Sequence, residues 1–164
     1  MRLRTGNMLD VYGNCDLFLF TANATITKDS RLVMGAGIAK TLKSRLPSID
    51  AVMARAITDQ LRVRGVEPDW SALREGTTRY LLVVRSLLGQ DVGAFQVKYH
   101  WSQDANLPLI QWSCDMLADY IGIRGPMDVH LNFPGIGNGR LPRDKVLPII
   151  SSSLPDCVTV WELP

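Results

Sequence analysis

Two kinds of hydrophobic spacing alternate along the chain. Leu17–Ala22, Leu-Phe-Leu-Phe-Thr-Ala, is an almost unbroken apolar run set between Gly13-Asn14 and the polar stretch 25–30. Such a run predicts an interior strand covered on both faces, as in parallel sheets. Over 35–46 the period changes: Ile38, Ala39, Leu42 and Leu46 fall at helical spacing among Lys40, Lys43, Ser44 and Arg45, and Pro47 stops the pattern. A second helix is predicted from Ile49 through Val52, Met53, Ala56, Ile57 and Leu61, closing near Gly65. Residues 66–79 mix turn residues with charge and give no core role.

The alternation then resumes. Residues 80–84 predict a buried strand, and Phe95, Val97 and Tyr99 a more exposed one, with Gly89 and Gly93 suggesting a hairpin-like connection. Pro108 suits the start of a third helix, striped by Leu109, Trp112, Met116 and Tyr120 beside Leu117 and Ile121. That stripe makes Trp112 a packing residue rather than a stacking platform. Another strand, 129–133, runs straight into Pro134-Gly135-Ile136-Gly137-Asn138-Gly139-Arg140. Pro142 then opens a short helix with Val146, Leu147, Ile149 and Ile150, which Pro148 is expected to kink or truncate, and 157–163 is the last strand. Strands alternating with helices predict a three-layer α/β/α domain around a central mixed sheet, a single unit over 1–164.

Length agrees with one domain, since 164 residues is close to the usual domain size, and 46% apolar content supplies a core without staples. The charges, 18 basic against 16 acidic, leave a net +2 with no block of either sign. General RNA binding therefore stays a third possibility behind a small anionic ligand, because no compact basic and aromatic platform is visible. Cys15, Cys114 and Cys157 lie far apart with only His100 and His130 to help them, so neither a disulfide framework nor a metal site is expected; all three read as buried small hydrophobes. No run approaches the roughly 18 apolar residues of a membrane helix, and the basic start Met1-Arg2-Leu3-Arg4 leads into no signal-type segment. A cytoplasmic protein with no membrane partner and no cofactor is the expectation.

Two glycine loops carry the candidate chemistry. In Met34-Gly35-Ala36-Gly37-Ile38-Ala39-Lys40, the glycines permit close backbone approach, and a helix starting there aims free N–H groups and its positive dipole end at a ligand. A Walker A loop would need glycines at Met34 and Ala39, and the dinucleotide fingerprint would need one at Lys40, so neither phosphate motif is present. Gly135, Gly137 and Gly139 also follow the carboxyl end of a strand, where α/β sheets place their ligand crevice. Asn23, just after the first interior strand, can both donate to and accept from a ribose hydroxyl; a local Asx turn is its alternative role. Tyr99-His100-Trp101 is either a lid or buried packing, and His130, within a strand, is structural or at the surface.

These segments resemble the macro domain family of ADP-ribose-binding proteins. The matching pieces are Thr5-Gly6-Asn7-Met8-Leu9, Phe20-Thr21-Ala22-Asn23, residues 32–40 and residues 133–141, in the family's order over nearly the whole chain; 48–79 and 91–104 do not match. The Met-Gly-Ala-Gly-Ile-Ala element most resembles the branch that removes ADP-ribose from acidic side chains or DNA bases. The resemblance implies that Gly35, Ala36, Gly37 and Ile38 surround the distal ribose, that Gly135, Ile136, Gly137, Asn138, Gly139 and Arg140 wrap the diphosphate, and that Asn23 orients the ribose and an attacking water. It puts Asn7, with Met8, at the adenine end, where many members carry Asp; a second strand Asn of the family is Phe20 here.

In the deglycosylating relatives, a Lys after the central strand and an Asp in the second glycine loop carry the chemistry. Here Arg85 is expected after that strand, Lys98 lies farther along, and the loop has no Asp, leaving Asp144 as the nearest acid. Arg85 suits a phosphate or a carboxylate but not a base or nucleophile, because it does not deprotonate. Asp144 is equally well explained as solvated charge in a helix's first turn. The expected activity is binding of ADP-ribose or an ADP-ribosylated macromolecule, modified nucleic acid included, with hydrolysis at the distal ribose of an ADP-ribosyl linkage or of ADP-ribose 1''-phosphate. The alternative is a binding module without turnover.

Overall fold

A computed structural model describes residues 1–164. Six strands form one sheet: β1 (Arg2–Thr5), β2 (Leu17–Ala22), β3 (Leu82–Leu87), β4 (Gln90–Gln96), β5 (Val129–Asn132) and β6 (Val158–Glu162), in the order β1-β6-β5-β2-β4-β3. All neighbours are parallel except β3, which runs antiparallel to β4 at the edge. Five helices cover the sheet: α1 (Gly37–Arg45), α2 (Ile49–Val63), α3 (Trp70–Glu75), α4 (Leu107–Arg124) and α5 (Arg143–Ser153).

The period of two along β2 divides the core. Phe18 and Phe20 enter the cluster containing Leu42, Met53 and Ile57 of α1 and α2, whereas Leu17 and Leu19 enter the cluster containing Ile110, Leu117, Val146 and Ile150 of α4 and α5. The three-layer α/β/α expectation therefore holds, and Phe20, where a polar strand residue stood in the family pattern, is wholly buried.

Several local expectations are corrected. The strand read at Phe95, Val97 and Tyr99 is Gln90–Gln96, and it is interior rather than exposed, because it pairs with β2 on one side and β3 on the other. Gly93 belongs to that strand and not to the turn: a Cβ there would meet the Val83 carbonyl oxygen at 2.5 Å and Leu19 Cδ2 at 2.8 Å. The hairpin turn is Leu88-Gly89, both at positive φ, as tight two-residue turns require. Residues 66–79 do contribute to the core: α3 buries Leu73, whose carbonyl accepts from the Ile26 N–H.

The buried face of α4 is Leu109, Ile110, Ser113, Cys114, Leu117 and Ile121, rotated from the predicted stripe. Ser113 can be buried because its hydroxyl donates to the Gln96 carbonyl at 2.7 Å. Trp112 is consequently outside, with the Arg79 guanidinium 3.9 Å above its ring. Pro148 does not truncate α5, which continues to Ser153. Only Cys114 of the three cysteines is fully buried, and burial pushes its thiol up to about 12; Cys15 and Cys157 are half-buried. At the sheet edge, Arg85 Nη1 donates to the Val84 carbonyl and Gln60 Nε2 to the Leu82 carbonyl, both at 3.0 Å. No helix is long and apolar enough to cross a membrane.

Candidate functional site

A cleft of about 930 Å³ crosses the carboxyl ends of the parallel strands, within the size range of ligand sites. The sheet order fixes its axis. Gly6 and Asn7 follow β1, and Trp161 and Glu162 end β6 with Leu163 beyond them, at one end; Phe133 and the second glycine loop follow β5; Thr21 and Ala22 end β2 with Asn23 beyond them; Val97 and Lys98 follow β4 at the other end. The first end is largely apolar and aromatic, with Met8, Leu9 and Trp161, and the second brings the Lys98 amine beside Val97 and Trp101.

The glycine loops meet, as expected. Gly35, Ala36, Gly37 and Ile38 line one wall, and Gly135 through Gly139 face them. At Gly37 the backbone is left-handed, φ +58°, and a Cβ would lie 3.5 Å from Asn138 Nδ2 across the cleft. Ala36 caps α1 without a side-chain bond, so the N–H groups of Gly37, Ile38 and Ala39 find no acceptor in the protein. The N–H groups of Ile136, Gly137 and Asn138 are equally free, because the turn over Gly137–Gly139 uses those of Gly139, Arg140 and Leu141 instead. Six unpaired amides from two loops thus face one space, an arrangement suited to phosphate oxygens.

Asn23 is anchored at both ends: Nδ2 donates to the Val33 carbonyl and Oδ1 accepts from the Thr25 N–H, each at 2.9 Å. The Asx turn and the cleft position are therefore both real, and one N–H and one lone pair remain for a ligand. Asn7 caps the turn Met8–Val11 by accepting from the Leu9 N–H at 3.1 Å. Since that partner is a donor, the bonded atom must be the carboxamide oxygen, which leaves Nδ2 outermost. Asp10, three residues on, is exposed and does not line the cleft.

Lys98 is the correction with the most chemistry in it. Arg85 lies on the antiparallel edge strand, pairs with Asp59 at 3.4 Å, and lines a smaller groove on the far side of the sheet edge, away from the glycine loops. The strand that ends beside β2 is β4, and the residue beyond it is Lys98, whose Nζ donates to the Asn138 carbonyl at 3.3 Å. Burial holds its ammonium below the usual lysine range, Asp104 opposes that, and Arg140 adds to it. Asp144 is exposed in the first turn of α5 and Arg140 points to Asp104 at 3.8 Å; neither lines the cleft.

Two features were missed by sequence reasoning, the Thr21–Asn132 pair and Glu162. Thr21 and Asn132 form a reciprocal pair in the cleft floor: Asn132 Oδ1 accepts from the Thr21 N–H at 2.9 Å, and Nδ2 donates to Thr21 Oγ1 at 2.8 Å. This replaces the β2–β5 ladder, which stops at Leu19 and Leu131. Glu162 lines the apolar end with both carboxylate oxygens held by Arg143, at 2.7 and 2.8 Å, and that bonding keeps its carboxyl below the usual range. Trp101 stands exposed at the rim, its backbone N–H donating to Thr25 Oγ1, so the aromatic triplet is neither core nor a closed lid.

No family model and no curated protein matches the chain. Solved structures do. The macrodomain of Thermus aquaticus DarG superposes with a TM-score of 0.66 at 23% identity, covering 99% of this chain and 95% of that one. This chain has the macrodomain fold. The macrodomain of Mycobacterium tuberculosis DarG gives 0.65 at 20% identity, over 97% of this chain and 96% of that one. Thermosipho africanus DarTG in complex with ADP-ribose gives 0.69 at 18% identity, over the whole of this chain and 42% of that longer one. The macrodomain likeness spans 48–79 and 91–104 as well, the stretches that the motifs left unmatched.

Proposed function

We propose that this macrodomain-fold protein binds ADP-ribose and hydrolyses an ADP-ribosyl linkage at the distal ribose. The diphosphate would lie between the two glycine loops on their unpaired amides, with the base toward Trp161 and Leu163 and the distal ribose toward Asn23 and Lys98. A TM-score of 0.69 to a protein solved with ADP-ribose supports the ligand class.

The observation that carries the hydrolytic part is the place of Lys98, a partly desolvated amine in the cleft beside the second glycine loop. In the neutral form its nitrogen can add to the anomeric carbon while the leaving group departs with the bonding pair and a proton; water then restores the amine and releases ADP-ribose. Asn23, held rigidly at two points, orients the ribose hydroxyls.

One observation favours a binding module instead. The only carboxylate in the cleft wall is Glu162, at the opposite end and tied to Arg143. Calorimetry with ADP-ribose, together with a product assay on ADP-ribosyl DNA, ADP-ribosyl protein and ADP-ribose 1''-phosphate, separates the two. Release of ADP-ribose from an ADP-ribosylated macromolecule, abolished in Lys98→Ala, is the expected result. Binding with no turnover of any substrate selects the module, and absence of binding rejects both.

A further inference from the structure

One buried histidine reaches the cleft through a tryptophan. His130 lies on β5 and is nearly inaccessible; its Nδ1 is 2.8 Å from Trp161 Nε1, and its Nε2 is 3.0 Å from Asp128 Oδ1. An indole N–H can only donate, so Nδ1 must hold a lone pair and the ring proton sits on Nε2, facing the Asp128 carboxylate. Both polar edges of the imidazole are thereby fixed. The indole is buried to 5% exposure yet contributes to the cleft wall at the apolar end. It is clasped there on its other sides, with the Arg4 guanidinium 4.5 Å from its ring and only 3.2 Å of room toward a Cβ at Gly6.

Resting on the function proposed above, we infer that His130 is a positioning residue: it sets the base-facing wall through Trp161, and its protonation loosens that wall. A second proton can go only to Nδ1, since Nε2 already carries one. The imidazolium then presents N–H to N–H where a hydrogen bond had been, and the indole must turn or lose its partner.

The charged groups nearest the imidazole are Asp128, at its Nε2, and Asp16, whose carboxylate accepts from the Asp128 N–H at 2.7 Å. Cys15 precedes Asp16, and the turn Met8–Val11 that packs near β5 carries the exposed Asp10. Arg4 sits on Trp161 and not on the imidazole, and Arg2 lies in the same cross-strand row as His130 with Thr159 between them. The strand neighbours of His130, Phe18 and Thr159, carry no charge.

The test uses the whole chain across roughly pH 5 to 8, where histidines titrate. The Trp161 indole N–H resonance, assigned by its loss in Trp161→Phe, should shift with pH in the wild type and stay fixed in His130→Asn, whose carboxamide oxygen can still accept from the indole. Affinity for ADP-ribose should fall about 3- to 10-fold toward low pH, the worth of one hydrogen bond, and this slope should vanish in His130→Asn while binding at high pH is retained. An indole resonance that ignores pH overturns the inference, as does a shifting resonance with unchanged affinity. Failure to bind ADP-ribose at any pH instead overturns the function proposed above and removes this coupling with it.

Discussion

Lys98 and Asn138 are 40 residues apart in sequence, and Lys98 Nζ donates to the Asn138 carbonyl at 3.3 Å. The contact ties the loop after β4 to the second glycine loop and holds the amine inside the cleft.

Lys98→Ala should abolish turnover, lowering it by at least about 100-fold, with ADP-ribose affinity changed by less than about 3-fold. The sign of the pH dependence follows from burial, which depresses the Lys98 ammonium. The active form is the neutral amine, so single-turnover rates should climb with pH and level off below the ordinary lysine value of about 10.4. A flat profile in stopped-flow product assays would remove Lys98 from the chemistry.

Gly37→Val puts a branched side chain where φ is +58° and the space ahead ends at Asn138. The left-handed backbone costs roughly 1–2 kcal/mol, so melting falls by a few degrees while the circular dichroism spectrum is kept. Binding of ADP-ribose by calorimetry should weaken at least about 10-fold, the equivalent of about 1.4 kcal/mol. Gly35→Ala, at ordinary φ with nothing within 4 Å, serves as the mild control for the fold.

Asn23→Ala strands the Val33 carbonyl and the Thr25 N–H, both bonded to it at 2.9 Å. Stability should drop by about 1–3 kcal/mol, visible in urea unfolding. Turnover should fall further than the unfolded fraction accounts for, because the ribose loses its guide; equal losses would make Asn23 purely structural.

Asn7→Asp retains the cap on Leu9 and replaces the outward amide N–H₂ by a second acceptor oxygen. Discrimination between ADP-ribose and its hypoxanthine counterpart should sharpen toward the amino-bearing base by about 3- to 10-fold. An unchanged ratio of dissociation constants would place the base elsewhere.

Much of this was legible because it is local. The run Leu17–Ala22 needs both faces covered, so the layered fold follows from spacing, and the glycines at 35–37 and 135–139 sit where strand ends meet helix starts, which the family resemblance turned into two expected cleft walls. What failed depended on partners far away in sequence. Lys98 could be ranked above Arg85 only once β3 was known to be the antiparallel edge and β4 the neighbour of β2. Asn132 carries no local sign that its side chain would stand in for a strand ladder, and the Trp161–His130 bond joins residues 31 positions apart. The outward turn of Trp112 hinged on a buried serine finding the Gln96 carbonyl, which hydrophobic periodicity does not encode.

The bonds from Arg85 to Val84 and from Gln60 to Leu82 have an effect beyond the fold. β3 is one of the sheet's two open margins, β1 being the other, and the Leu82 and Val84 carbonyls that would help dock an incoming strand there are already occupied from within the same molecule. Crowded copies therefore find a blunted template at this margin, and a chain that loses both side chains should precipitate more readily.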